Sequence, residues 1–253
     1  MRSFLFCMVL LAATSLHART QGAGPAAVVP GAGMEFWTGR PRCGANCMNG
    51  SPPSRAYFKE ARRQGIQWLR LAYDKWKPAE RDFLLGDASR YEGLVSADLK
   101  TLKATLDRAH AEGIKVVVVP LSLPGMRWRQ NNGARFDGRI WRDKERWRQS
   151  ARFWGDLARE LKGHPAVAAY NLVNEPAPER EGGVAEDASP EALKAWYSTV
   201  KGSARDLPAF YRLVLATVRR VDPDTPVMLD AGWYARATGF TYWPDPVGDQ
   251  KTL

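Results

Sequence analysis

The sequence predicts an α/β fold on a parallel sheet and, within that class, a (β/α)8 barrel. Three observations lead there. From about residue 40, short apolar runs of strand length alternate with segments of helical periodicity. The runs are almost continuously apolar, as strands covered on both faces are. Polar and aromatic residues collect just after each run, and a barrel carries its chemistry at those strand ends.

The elements follow in order. A weak first strand lies around RPRCGAN (40–46), and Ser54 is placed to cap a helix running to Gly65. QWLRLAY (67–73) is the second strand. Leu99, Leu102, Leu106 and Ala109 then form an apolar helical stripe stopped by Gly113. IKVVVVPLSL (114–123) is the third strand. Asp143 can cap the next helix, in which Trp147, Ala151, Trp154 and Leu161 share a face before Gly163-His164-Pro165. AVAAYNLV (166–173) is the fourth strand, a further helix ends before Asp222-Pro223, and PVMLDAG (226–232) is the fifth strand. A doubly wound dinucleotide-binding sheet needs a glycine fingerprint in its first strand–helix turn, and CGANCMNGSPPS lacks one. Eight such units need roughly 300 residues. The 253-residue chain ends on TYWPDPVGDQKTL, which reads as a polar loop, so the expectation is a barrel without its last three strands.

Composition narrows the function classes. With 45% hydrophobic and 25% charged residues, the chain has the makeup of a globular domain. MRSFLFCMVLLAATSLHA has a positive start, a short apolar core and a small residue at Ala18, the pattern of an export leader over residues 1–18. Its core is short for a bilayer span, so a secreted or periplasmic protein is expected, with one incomplete barrel domain from residue 19 to residue 253. In an oxidising compartment, Cys43 and Cys47 are candidates for a disulfide. The net charge of +10 suggests an acidic partner, but the arginines interleave with acids, as in RWRQSARFWGDLARELK. A solvated helix face explains them better than a nucleic-acid surface. No His, Cys and carboxylate cluster has ligand spacing, so neither metal nor cofactor is expected.

The chemistry centres on Asn174-Glu175-Pro176, where the fourth strand stops at a carboxylate beside an amide. Cleaving a glycosidic bond needs one acid to protonate the leaving oxygen and a second carboxylate to attack or to activate water. A partly desolvated glutamate can stay protonated near neutral pH. A neighbouring amide can hold a sugar hydroxyl whose contact tightens in the transition state. Trp76, Trp128 and Trp233 follow strands and are candidates to stack on pyranose rings, with loop packing as the alternative. LPGMRWRQNNG (123–133) reads as a substrate loop.

GAN (44–46), GIQWLRLAYDKW (65–76), AAYNLVNEP (168–176) and PVMLDAGWY (226–234) together resemble the first, second, fourth and fifth strands of glycoside hydrolase family 5, the cellulase family of retaining (β/α)8 glycosidases. The resemblance implies Glu175 as acid/base, Asn174 as its sugar-binding neighbour and Arg70 as the arginine that orients the nucleophile. Ser122 stands where the family usually carries a histidine, and is included among the substrate-binding candidates. The family's nucleophile is a glutamate on the seventh strand, so the resemblance places it beyond Leu253. Asp74 and Asp230 lie near strand ends, but a structural aspartate is the better account of each. The function expected is cleavage of a β-linked polysaccharide or oligosaccharide by a cellulase- or β-glucanase-like hydrolase. The alternatives are a mannanase- or xylanase-type member of the same clan and a non-catalytic carbohydrate-binding protein on the same scaffold.

Overall fold

The computed structural model describes residues 33–244, 247–249 and 251–253. The leader pattern of residues 1–18 lies outside the described residues. Each predicted strand forms, and its neighbours decide its length. The strands are β1 (Gly44–Cys47), β2 (Trp68–Ala72), β3 (Lys115–Val119), β4 (Val167–Asn171) and β5 (Val227–Met228). They pair in sequential order and are all parallel, the arc of a (β/α)8 barrel. Residues 251–253 do not form the polar loop expected of them. Val227 N–H donates to the Lys251 carbonyl at 2.9 Å, Leu253 N–H donates to the Val227 carbonyl at 2.8 Å, and Val227 and Thr252 form a parallel bridge. The segment lies along the far edge of β5, a pairing that a list of polar residues does not reveal.

Register sorts the strand residues onto two faces. Leu69 pairs with Val116, and Leu71 with Val118, which pairs in turn with Tyr170; all are buried. Asn46, Arg70, Val117 and Ala169 make up a second row, of opposite parity, and this row carries the site arginine. Gly44 lies under Trp68, where an added Cβ would sit 2.0 Å from the indole, so β1 can approach only as glycine.

The helices form where caps and stripes agree. Ser54 Oγ accepts Tyr57 N–H at 3.2 Å to start α1 (Arg55–Arg63). Along α2 (Ser96–Ala111), Leu102, Leu106 and Ala109 are fully buried. Asp143 caps α3 (Lys144–Leu161) through Glu145 N–H at 2.8 Å, and Trp147, Trp154 and Leu161 are buried on its inner face. Two helices in the loop after β4 were not expected: α4 (Pro178–Glu181) and α5 (Pro190–Val200). Four residues are too few for a periodic signal. For α5, Ser189 before Pro190 was a readable cap signal, and its Oγ accepts Ala192 N–H at 3.2 Å. The last long helix, α6 (Leu207–Val221), crosses α3 closely: a Cβ at Gly155 would lie 2.9 Å from Thr217 Cγ2. Phe210 packs edge-on to Trp141 and Trp147 at 5.5 and 5.7 Å.

The expected disulfide does not form, and both thiols are free, Cys43 exposed and Cys47 buried. An extended strand rises about 3.3 Å per residue. Cys43 immediately precedes β1 and Cys47 ends it, so in an extended chain their Cα atoms lie about 13 Å apart, far beyond the roughly 7 Å that a disulfide can span. The surface arginines are paired as their interleaving with acids suggested, for example Arg63–Glu60, Arg148–Glu145 and Arg159–Asp156 along the helices.

Candidate active site

The C-terminal ends of β2, β4 and β5 bring four polar side chains into one network. Arg70, near the end of β2, donates from Nε to Asn171 Oδ1 at 2.8 Å. Its Nη2 donates to Asn174 Oδ1 at 2.9 Å and to Asp230 Oδ2 at 3.1 Å. Asn171, at the end of β4, returns from Nδ2 to Asp230 Oδ1 at 3.1 Å and to the Met228 carbonyl at 3.1 Å. Asp230 Oδ2 also accepts Glu175 N–H at 2.9 Å. The Arg70 and Asp230 side chains are only 13% and 11% exposed, so the pair is held in a low-dielectric layer and stabilised by its extra hydrogen bonds. Tyr211 reaches in from α6 to donate to the Asp230 carbonyl at 2.6 Å.

Above this layer Glu175 is open to solvent at the strand mouth. Its φ of 46° lies in the left-handed region, a strain of roughly 1–3 kcal/mol for a non-glycine residue. The bond from its backbone N–H to Asp230 helps hold it there. The carboxyl pKa is raised, first because neighbouring protein strips part of its hydration. The Arg70 charge and the Asn174 amide pull it down, and the Asp230 charge pushes it up. The net direction favours a protonated carboxyl, the form a general acid requires.

The other expected residues divide. Trp128 lies in the loop after β3, packed over Ala72, Val119 and Leu121, with its ring 5.6 Å from Phe136 and 5.7 Å from Tyr234. Trp233 is 8% exposed, which leaves little face for a sugar. Trp76 is half-buried, donates to the Asn49 carbonyl at 3.1 Å and packs edge-on to Phe83 at 5.5 Å, as a loop anchor would. Ser122 is 2% exposed, and its N–H donates to Asp74 Oδ1 at 2.7 Å. Asp74 also accepts Leu121 N–H at 2.7 Å, clamping the end of β2 to the end of β3. Burial pushes the Asp74 pKa up to about 6 against the pull of those amides.

Three residues of the site were missed. Asn171 is fully buried, and its signal was available: it is the lone polar side chain inside the apolar run AVAAYNLV. Tyr234, whose N–H donates to the Pro176 carbonyl at 3.2 Å, stands in the sequence only as the last residue of the PVMLDAGWY run, with no signal of its own. Glu179 is 1% exposed and takes hydrogen bonds from Tyr197 Oη and, at 3.1 Å, from Trp233 N–H. Burial raises its pKa too. Its partners lie on α5 and after β5, so no local pattern marks it. A cavity of about 380 Å³ lies between the loops after β2 and β3, lined by Lys77, Arg81, Asp82 and Arg127 among others, and Glu175 does not line it.

No curated protein matches the sequence. Solved structures resemble the fold. A hyperthermophilic endo-β-1,4-glucanase solved with substrate is 15% identical, with 83% of this chain and 57% of that one covered at a TM-score of 0.54. Thermotoga maritima Cel5A, solved with mannotriose and with cellobiose, is 11% identical, with 83% and 58% covered at a TM-score of 0.53. The chain spans about half the length of the solved structures it matches. The family model for cellulase (glycosyl hydrolase family 5) matches residues 30–253, and with Asn174-Glu175 at the end of β4 above Arg70, the chain belongs to that family.

Proposed function

We propose that the whole protein is an exported retaining glycoside hydrolase acting on β-linked glucans or mannans, with Glu175 as its acid/base. The observation that carries this reading is the Arg70–Asn174–Asp230 network directly beneath a strained, pKa-raised Glu175 at the end of β4. Glu175 would protonate the glycosidic oxygen as the bond breaks, then deprotonate the water that releases the sugar. Asn174 would hold the sugar hydroxyl next to the reacting carbon, its own Oδ1 being fixed by Arg70. The wall of Trp128 and Tyr234 offers aromatic faces to a pyranose ring. The β-1,4-glucanase and the mannotriose and cellobiose complexes among the similar folds support the substrate class.

Retention needs a second carboxylate about 5 Å from the acid. Asp230 has both oxygens engaged, by Arg70 and Glu175 N–H on one and by Asn171 on the other, which suits it to holding the site rather than to attack. In this reading the nucleophile is a glutamate on a later strand, as the family resemblance implies. Assays of the whole protein on β-1,4-glucan and β-mannan test the reading. Glu175→Gln should lower kcat/KM by about 10²–10⁴-fold on natural polysaccharides, and less on substrates with activated aryl leaving groups. Unchanged turnover in that variant sinks the assignment.

A further inference from the structure

The chain after β5 takes an unusual course beside the site. Trp233, Tyr234 and Ala235 have φ of 47°, 61° and 66°, three successive non-glycine residues in the left-handed region. Such a run is strained at every residue and persists only where its surroundings fix it. Two anchors do so, and both come from the segment that carries Glu175. The Pro176 carbonyl, next along the chain from Glu175, accepts Tyr234 N–H at 3.2 Å. Glu179, four residues on in α4, accepts Trp233 N–H at 3.1 Å through Oε2 and the Tyr197 hydroxyl through Oε1. Gly232 makes room for the carboxylate: a Cβ there would lie 1.8 Å from Glu179 Oε1 and 2.4 Å from Tyr197 Oη. The turn so held sets Tyr234 against Trp128, which packs on Phe136, so an aromatic wall from two separate loops closes at this point.

We propose that Glu179 is a positioning residue: its buried carboxylate locks the left-handed turn after β5 and so fixes the Tyr234 side of the sugar-binding wall beside Glu175. The structural half stands alone; the sugar-binding half rests on the glycosidase reading above. A carboxylate suits the task because it offers two acceptors to two donors arriving from different elements. A glutamine offers one oxygen and turns its amino group toward the other donor.

Hydrogen exchange on Glu179→Gln tests the lock without reference to activity. Amides of residues 233–236 should exchange at least about 10-fold faster, the equivalent of about 1.4 kcal/mol, while those of β3 and β4 keep their protection. If Glu179→Gln does not fold, Tyr197→Phe, which keeps the carboxylate but removes one donor, should show the same local acceleration to a smaller extent. Unchanged exchange at the turn in the folded variant overturns the proposal. The functional half is read from steady-state kinetics on cellotetraose in the whole protein. Glu179→Gln should raise KM several-fold with kcat nearly kept, and this effect should vanish in a Tyr234→Ala background. An equal KM effect in both backgrounds, or a loss confined to kcat, overturns the positioning role. A Glu175→Gln enzyme of normal activity would instead remove the glycosidase reading and leave the exchange result standing.

Discussion

Glu175 is tuned by two opposite charges that lie within one hydrogen-bonded network. Arg70 lowers its pKa and Asp230 raises it, each less than the desolvation that dominates. If Glu175 is the acid, as proposed, neutralising either charge should therefore move the alkaline limb of the pH–rate profile, where it would lose its proton, in opposite directions. Arg70→Met should carry the limb to higher pH, and Asp230→Asn to lower pH. Profiles of kcat/KM measured side by side check the signs, and parallel shifts would contradict the network. Arg70→Met should also cost about 3–5 kcal/mol of stability in denaturant titrations, because it leaves the Asp230 carboxylate buried without its cation. At this scale the sequence pointed to Glu175, Asn174 and Arg70, each at a strand end with a recognisable neighbour, and the structure brings the three together around Asp230. It did not disclose Asn171 as their connector, or Glu179. The contacts that define those two run from Asn171 to Arg70 across 101 positions and from Glu179 to Trp233 across 54.

At the level of elements, what formed as expected did so through local chemistry. Ser54 and Asp143 cap the helices they were expected to cap, and Leu102, Leu106 and Ala109 bury the stripe they formed in the sequence. The fifth strand shows the opposite case. Residues 226–232 have strand composition, yet only Val227–Met228 pair, and Gly232 already opens the left-handed turn. Its backbone is needed beneath Glu179, and that tertiary demand overrides the propensity of the run. Gly232→Ala should accordingly destabilise the protein by about 1–3 kcal/mol, the usual cost of overpacking a filled site. Equilibrium urea unfolding reads this directly, and a neutral result would mean that the turn yields to the added methyl. The candidate Cys43–Cys47 disulfide fails at the same scale: the compartment argument is silent on geometry, and the extended run of β1 that follows Cys43 and ends at Cys47 keeps the two apart.

For the molecule as a whole, the joint between β2 and β3 makes stability depend on pH. Asp74 is 4% exposed and has its pKa raised to about 6, above the ordinary carboxylate value it regains on unfolding. The native state therefore binds the extra proton between about pH 4 and 6, so this contribution is complete below pH 4 and is lost as pH rises through 6. Relative to Asp74→Asn, the wild-type protein should lose at most about 3 kcal/mol of stability between pH 4 and 7. Thermal or urea unfolding across that range checks it; a wild-type protein that gains stability over Asp74→Asn as pH rises would show the amide bonds from Leu121 and Ser122 outweighing burial. The sequence by itself determined the alternation of elements, the parallel sheet and the carboxylate at the end of β4, because periodicity, caps and strand-end composition are local properties that the chain carries before it folds. Only the tertiary structure decided the Arg70–Asn171–Asp230 connections, the clamp by Glu179, the split among the tryptophans and the pairing of residues 251–253 beside β5. Those depend on which distant groups the sheet brings within hydrogen-bond reach once water is excluded, and nothing in the order of residues states that distance.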